Sequence, residues 1–275
     1  MKDISVTDLV VHPKTLNAFI SVMRGQGAGA RSVLLRVDGA GKIEIVDLAQ
    51  LKSTKVTLPN APSANVQGQA PSRAESITDM AYKDGRLYIA GLSNEEFSSK
   101  LRSVSYPFAT ADNGTSVEIY HGSHARFETR SPVYTFLPYQ IGSTPYLIAS
   151  YLCTPLVKFP VASLQPGAKV MGTTIAELGN KNRPLDMILY KKDGKEFLLM
   201  SNNSRGVMKI PTERFGVAPG ITTPVPDSEL TRGIPYETIA SMKGTEQLDR
   251  LDDTHSLALV RSEAGALNLE SVPLP

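Results

Sequence analysis

Apolar residues along this chain fall in short runs of about five to seven, punctuated by tight turns and never prolonged into a helical period. Five stretches share one order: a strand, a turn, a second strand and then a third. In the first, residues 6–11 lead through a turn at 12–16 to residues 18–22 and 33–37. The second runs 77–82, Lys83-Asp84-Gly85, 86–90 and 101–104; the third runs 133 onward, Gly142-Ser143, 146–150 and 156–160. The fourth reads 185–189, Asp193-Gly194, 197–200 and 207–211, and the fifth reads 248–251, 252–255, 257–260 and 267–272.

The turns carry a mechanism. Asp-Gly between two apolar strands supplies the two positive φ angles that a two-residue hairpin needs. The third strands of units three and four share one pattern, Leu156-Val157-Lys158-Phe159-Pro160 and Val207-Met208-Lys209-Ile210-Pro211. Candidate fourth strands lie at 42–47, 117–120 and 169–175. A four-stranded antiparallel sheet repeated radially leaves only short, protected edges, so the expected fold is all-β: a β-propeller. The repeat units span about 5–58, 76–120, 131–176, 184–225 and 235–275, within one domain over 1–275. A β-sandwich or open repeat array is the competing architecture, and a part of a larger ring would show the same five units. The Pro/Gly/Ser-rich stretch 59–76 reads as a surface loop, because the repeat resumes after it.

Composition removes several functions. The 29 basic and 27 acidic side chains nearly cancel, leaving a net charge of +2. That gives no field for a nucleic-acid backbone or an anionic membrane, and no basic stripe is present. The apolar runs are far too short to span a bilayer, so no membrane insertion is expected. Cys153 is the sole cysteine, so no intrachain disulfide can form and the compartment is unmarked. Residues 1–5 lack the layout of a signal peptide, and the chain reads as a mature form or an excised fragment. A monomer is expected. No nucleophile elbow, phosphate loop or zincin motif occurs, and the glycines at 25, 27 and 29 open no helix.

In a propeller, blade-to-blade loops and the loops between second and third strands share the upper face. Asp8, Asp79 and Asp186 occupy one register near the start of the innermost strand; Asp249 is similar, and unit three departs with Tyr134 and Thr135. Carboxylates converging there would repel one another unless a hard cation such as Ca²⁺ intervened, with Asn203 as a further oxygen donor. Alternatively each Asp accepts backbone N–H bonds, which is preferred because the register recurs wherever blades repeat. The upper-face loops also carry Arg24, Asn94, Glu95, Glu96, Cys153, Asn202, Asn203, Ser204 and Arg205. The asparagines suit either calcium or simple turn formation. His121 and His124 stand in an upper-face linker, where with Cys153 they could form a soft N/N/S site for copper or zinc; a solvated turn and a small buried thiol are the plainer reading. His12 and His255 fall on lower-face hairpins.

Residues 77–97 (ITDMAYKDGRLYIAGLSNEEF) resemble the blades of YVTN and NHL bacterial propellers, and 185–211 are similar, with Ser201-Asn202-Asn203-Ser204 after the second strand. The chain also resembles exported bacterial propellers, which implies a periplasmic or secreted location and further repeats upstream. Relatives of this class include gluconolactonase- and paraoxonase-type lactonases with channel calcium held by Glu, Asn and Asp, as well as binding scaffolds. Tryptophan-rich quinone-dependent dehydrogenase propellers are disfavoured, since this chain has no Trp. Two functions are therefore expected. The first is a scaffold presenting its upper face to a protein, peptide, glycan or small molecule. The second is a calcium-dependent hydrolase in which the ion polarises a carbonyl and an Asp acts as general base.

Overall fold

A computed structural model describes residues 4–25, 29–64, 71–229 and 231–275; Gly27 and part of the 59–76 loop lie outside them. It is a five-bladed β-propeller. Blade 1 consists of β1 (Ile4–Val11), β2 (Ala18–Arg24), β3 (Arg31–Val37) and β4 (Ile43–Ile45) in spatial order. Blade 2 contains β5 (Asp79–Lys83), β6 (Arg86–Leu92), β7 (Ser99–Ser105) and β8 (Thr115–His121), with β9 (Arg126–Glu128) folding back on β8. Blade 3 runs β10 (Thr135–Ile141), β11 (Thr144–Ser150) and β12 (Pro155–Pro160). The chain then lends β13 (Lys169–Met171) to blade 2, parallel to β8, before β14 (Thr173–Glu177) completes blade 3. Blade 4 is β15 (Pro184–Lys192), β16 (Lys195–Asn202) and β17 (Gly206–Pro211). A two-residue β18 (Arg232–Gly233) pairs with β14, and β19 (Glu237–Ile239) then forms the outer edge of blade 4. Blade 5 has β20 (Thr245–Arg250), β21 (His255–Arg261) and β22 (Leu267–Pro273).

The hairpin chemistry read from the sequence is the chemistry found. Asp84 and Gly85 have φ of 51° and 77°, and Asp193 and Gly194 have 51° and 74°, the paired positive angles of a tight hairpin. Two outer strands differ from expectation. Residues 169–175 do not make one strand: Gly172 breaks them, donating its N–H to the Glu118 carbonyl at 2.8 Å. A side chain there would collide with Val157 and Phe159. The outer edge of blade 4 comes from 237–239, inside the stretch assigned by periodicity to unit five, because the long connection after β17 first crosses to blade 3. Such choices between edges depend on tertiary reach, which a three-residue strand does not encode.

Burial follows the spokes. Blades 2 and 3 enclose a core with Leu101, Val117, Ile119, Phe136, Leu147 and Phe159. Leu137, Ile148, Leu156, Met187, Leu198 and Phe215 fill the space between blades 3 and 4. Further clusters join blades 4 and 5 through Tyr190, Leu199 and Leu248, and blades 5 and 1 through Leu9, Ile20, Val22 and Leu259. No equivalent buried cluster joins blade 1 to blade 2 among the described residues, and Val10, Met80 and Tyr82 stay exposed. The ring therefore has four apolar seams and one open one. Also among the described residues, no helix is long and apolar enough to cross a membrane.

Gly91 shows how the sheet positions the upper face. It sits within β6, where glycine marks a close approach of another backbone. A Cβ here would lie 2.1 Å from the Ser76 carbonyl oxygen. The missing side chain lets the 73–76 turn lie against blade 2, which carries Glu75 to the central cleft. Gly91→Ala should lower unfolding free energy by about 1–3 kcal/mol through this backbone clash, as read from urea denaturation. Gly85→Ala offers a contrast, since nothing lies within 4 Å of its would-be Cβ and the cost there is that of a positive φ alone.

Candidate functional site

The innermost strands bring one short segment from each blade to the axis. Val6 and Thr7 (blade 1), Ile77 and Thr78 (blade 2), Tyr134 (blade 3), Arg183 and Leu185 (blade 4), and Glu246 and Gln247 (blade 5) line a single open cleft of about 1200 Å³. The β16–β17 turn adds Asn202, Asn203 and Ser204, and the β21–β22 side adds Arg261, Ser262 and Glu263. Upper-face loops thus converge as the blade geometry requires.

Below this cleft the recurrent aspartates act between blades. Asp79 accepts from its own neighbour Met80 N–H at 2.7 Å and from Phe136 N–H of blade 3 at 2.8 Å. Asp186 accepts from Met187 N–H at 2.8 Å and from Leu248 N–H of blade 5 at 2.9 Å. Asp249 repeats the device with Arg250 N–H at 2.7 Å and Val11 N–H of blade 1 at 2.6 Å. Asp8 accepts from Leu9 N–H at 2.8 Å, and its position faces the open seam. Each aspartate therefore makes the backbone bonds weighed against calcium in the sequence. Each oxygen of Asp79, Asp186 and Asp249 thus has one lone pair committed to a backbone N–H. The oxygens of Asp8, Asp79 and Asp186 do not form a three-donor group within 4.8 Å of one another.

The aspartates do sense one another. Burial pushes the Asp79 carboxyl up to about 7; the Phe136 N–H pulls it partly back and the Asp8 charge pushes it up again. Burial also raises Asp186 well above the usual carboxylate range, with Asp8 and Asp79 adding to the rise, and it raises Asp8 and Asp249 as well. The axis therefore gathers carboxyl groups that share a desolvated channel.

The other residues singled out in the sequence divide between places. Asn203 and Arg183 clasp each other: Arg183 N–H donates to Asn203 Oδ1 at 2.7 Å, and Asn203 N–H to the Arg183 carbonyl at 3.1 Å. Asn202 Oδ1 accepts from the Ser204 and Arg205 N–H groups at 3.0 and 3.1 Å, so both asparagines build the turn. Arg205 packs beneath Gly179 and donates to the Asn180 carbonyl. Asn94, Glu95 and Glu96 line a separate recess of about 560 Å³ with Arg130, where Lys100 pairs with Glu95 and holds its carboxyl below the usual range. Arg24 is exposed at the end of β2. Cys153 adopts a φ of 61° and its Sγ accepts the Lys181 N–H at 3.3 Å. His121 and His124 are drawn instead to Glu128, so the histidines and Cys153 do not form one N/N/S set.

Sequence reasoning missed Tyr134, Arg183, Glu75 and Gln247 as cleft residues. The Arg183 guanidinium lies 4.4 Å from the centre of the Tyr134 ring, within cation–π range. Arg183 has no ion-pair partner among the described residues, whereas Arg261 is paired with Glu246 and Lys243 with Glu263. Only the departure of unit three from the Asp register marked Tyr134 as unusual. A scan of protein-family models returns no match to this chain, and a search of curated proteins likewise returns none.

A carboxyl raised on folding binds more protons in the native state than in the unfolded chain. Stability from Asp79 is therefore greatest below the ordinary carboxylate range and declines as pH rises from about 4 to about 7. Denaturation midpoints measured across that interval should fall with pH in the wild type. In Asp79→Asn the slope should flatten, while loss of the Phe136 tie lowers stability at pH 4 by about 1–3 kcal/mol.

Proposed function

We propose that this protein is a binding scaffold, of YVTN/NHL type in its blades, that receives a segment of a protein, peptide or glycan in its upper-face cleft. The observation carrying this reading is the axial cleft with the Arg183–Tyr134 platform at its wall. At about 1200 Å³ it exceeds the roughly 300–1,000 Å³ that encloses a small molecule, and it is open to solvent, as a polymer segment requires. The Asn203 clasp holds the Arg183 backbone, and the Tyr134 ring lies under its guanidinium, whose donors can meet a carboxylate or carbonyl of the ligand. Thr7 and Thr78 are committed to other partners, leaving Arg183, Gln247 and the charged rim to read the ligand.

A calcium-dependent hydrolase is the second reading, supported by the gathered channel carboxylates. It has the harder geometry to meet, because the oxygens of Asp8, Asp79 and Asp186 do not come within 4.8 Å of one another as one donor set. Extracytoplasmic export belongs to the same proposal and rests on the resemblance of the blades.

Peptide and glycan arrays probed with labelled protein, followed by calorimetry on the strongest hit, test the scaffold reading. Arg183→Ala and Tyr134→Ala should keep the fold and weaken binding at least about tenfold, as expected for a central Arg or Tyr anchor. Binding that is indifferent to both substitutions places the ligand elsewhere. A rise in melting temperature with CaCl₂ that disappears in Asp79→Ala and Asp186→Ala would favour the hydrolase instead.

A further inference from the structure

The β8–β9 hairpin assembles a cluster that neither the cleft nor the interblade ties use. His121 ends β8, a 122–124 turn follows, Ala125 takes the left-handed φ of 54°, and β9 returns with Glu128 opposite Ile119. Residues 119 and 121 share a face of β8, so Glu128 lies diagonally against His121. His124, on the turn, folds over the same point, its ring 3.8 Å from that of His121. The Glu128 carboxylate stands between the two imidazoles, 3.1 Å from His121 Nδ1 and 2.7 Å from His124 Nδ1. His121 is fully buried and Glu128 nearly so. The platform is held from behind: Gly122 O accepts Val225 N–H at 2.9 Å, and Gly122 N–H and Ser123 Oγ each donate to Glu177 at 2.6 Å.

We propose that His121, His124 and Glu128 form a binding site for a divalent d-block cation, Zn²⁺ being the best match. One nitrogen of each histidine and one Glu128 oxygen lie within 4.8 Å of one another. Donors around a tetrahedral zinc with bonds of about 2.0–2.1 Å stand roughly 3.3 Å apart, and the two nitrogen–carboxylate separations are 3.1 and 2.7 Å. Two imidazoles and a carboxylate suit zinc and its neighbours, whereas calcium demands a shell of oxygens. His124 is the exposed member, which leaves an approach and a fourth position for water.

The second observation is the far nitrogen of His121. Nε2 is buried without a hydrogen-bond partner, 3.8 Å from the Glu177 carboxylate. If a neutral His121 gave its Nδ1 proton to the Glu128 hydrogen bond, Nε2 would be a bare lone pair facing a buried carboxylate. A cation on Nδ1 reverses this: the single ring proton moves from Nδ1 to Nε2 by exchange with solvent, and the resulting Nε2–H lies 3.8 Å from the Glu177 carboxylate. A ligating histidine backed by a carboxylate is a recurrent arrangement in metal sites. Ser131 Oγ donates to Glu128 and would orient it in the same way. Arg126 also contacts Glu128 but is largely exposed, so its side chain can swing outward when the ion enters.

The test is calorimetric titration of ZnCl₂ into chelator-stripped protein, with the metal-to-chain ratio measured by mass spectrometry. One zinc per chain is expected, with a higher melting temperature, while CaCl₂ leaves this site unfilled. His124→Ala, on the accessible turn, should fold and lose the zinc; Glu177→Gln should keep it with roughly 10–100-fold weaker affinity. Cys153→Ser and Asp79→Asn should bind zinc as the wild type does. Absence of zinc binding overturns the proposal, as does zinc retained at full affinity in His124→Ala or lost in Cys153→Ser. So does nitrogen NMR showing His121 doubly protonated and unchanged by added zinc.

Discussion

A carboxylate that reaches from one innermost strand to the backbone of the next blade is the constraint on which this architecture depends. Innermost strands of neighbouring blades are not hydrogen-bonded as a sheet, so their N–H groups at the channel need acceptors from elsewhere. Asp79, Asp186 and Asp249 supply them, each with one oxygen on its own strand and the other on the blade that follows. The bond sets the spacing and angle between spokes, and apolar side chains fill the wedge outside it. The same side chains that hold the ring together crowd charge on its axis, and burial raises their proton affinity.

The seam between blades 3 and 4, where Thr135 takes the Asp register, is filled by its apolar cluster, and the open seam lacks both kinds of joint. Between blades 1 and 2 the described residues form neither a buried cluster nor an aspartate tie: among them Asp8 accepts from Leu9 of its own strand, and Val10, Met80 and Tyr82 are exposed. The cleft lies over a ring with four apolar seams among the described residues, and the clusters between blades 3 and 4 and between blades 4 and 5 lie beneath one side of it. That is where Tyr134, Arg183 and the Asn203 clasp are found. A guanidinium without an ion-pair partner among the described residues thus lies beside the Tyr134 ring, which is the physical basis for proposing recognition there.

The two chemistries of the upper face are kept apart by blade geometry. Central segments at and just before the starts of the innermost strands line the cleft, while the β8–β9 hairpin belongs to the outer part of blade 2 and is braced by Glu177 at the end of β14 and by Val225 in the connection after β17. Burial would raise the Glu128 carboxyl, but hydrogen bonds from His121, Ser131 and His124 carry it well below the usual range. It is an anion held among donors, in contrast to the aspartates of the axis.

Much of this was legible in the residues. Asp-Gly pairs require positive φ, alternating apolar runs require a sheet, and a repeated register of Asp requires a repeated partner; each follows from local stereochemistry and holds wherever the segment sits. The sequence also pointed to backbone bonding as the plainer role of those aspartates. It could not say which blade would receive β13 or β19, because three residues form an edge wherever an unsatisfied strand lies within reach. Nor could it bring Glu128 rather than Cys153 to the two histidines, or lay Arg183 on Tyr134. Those meetings depend on how the spokes are angled and how the long connections cross them, and only the packed ring determines that.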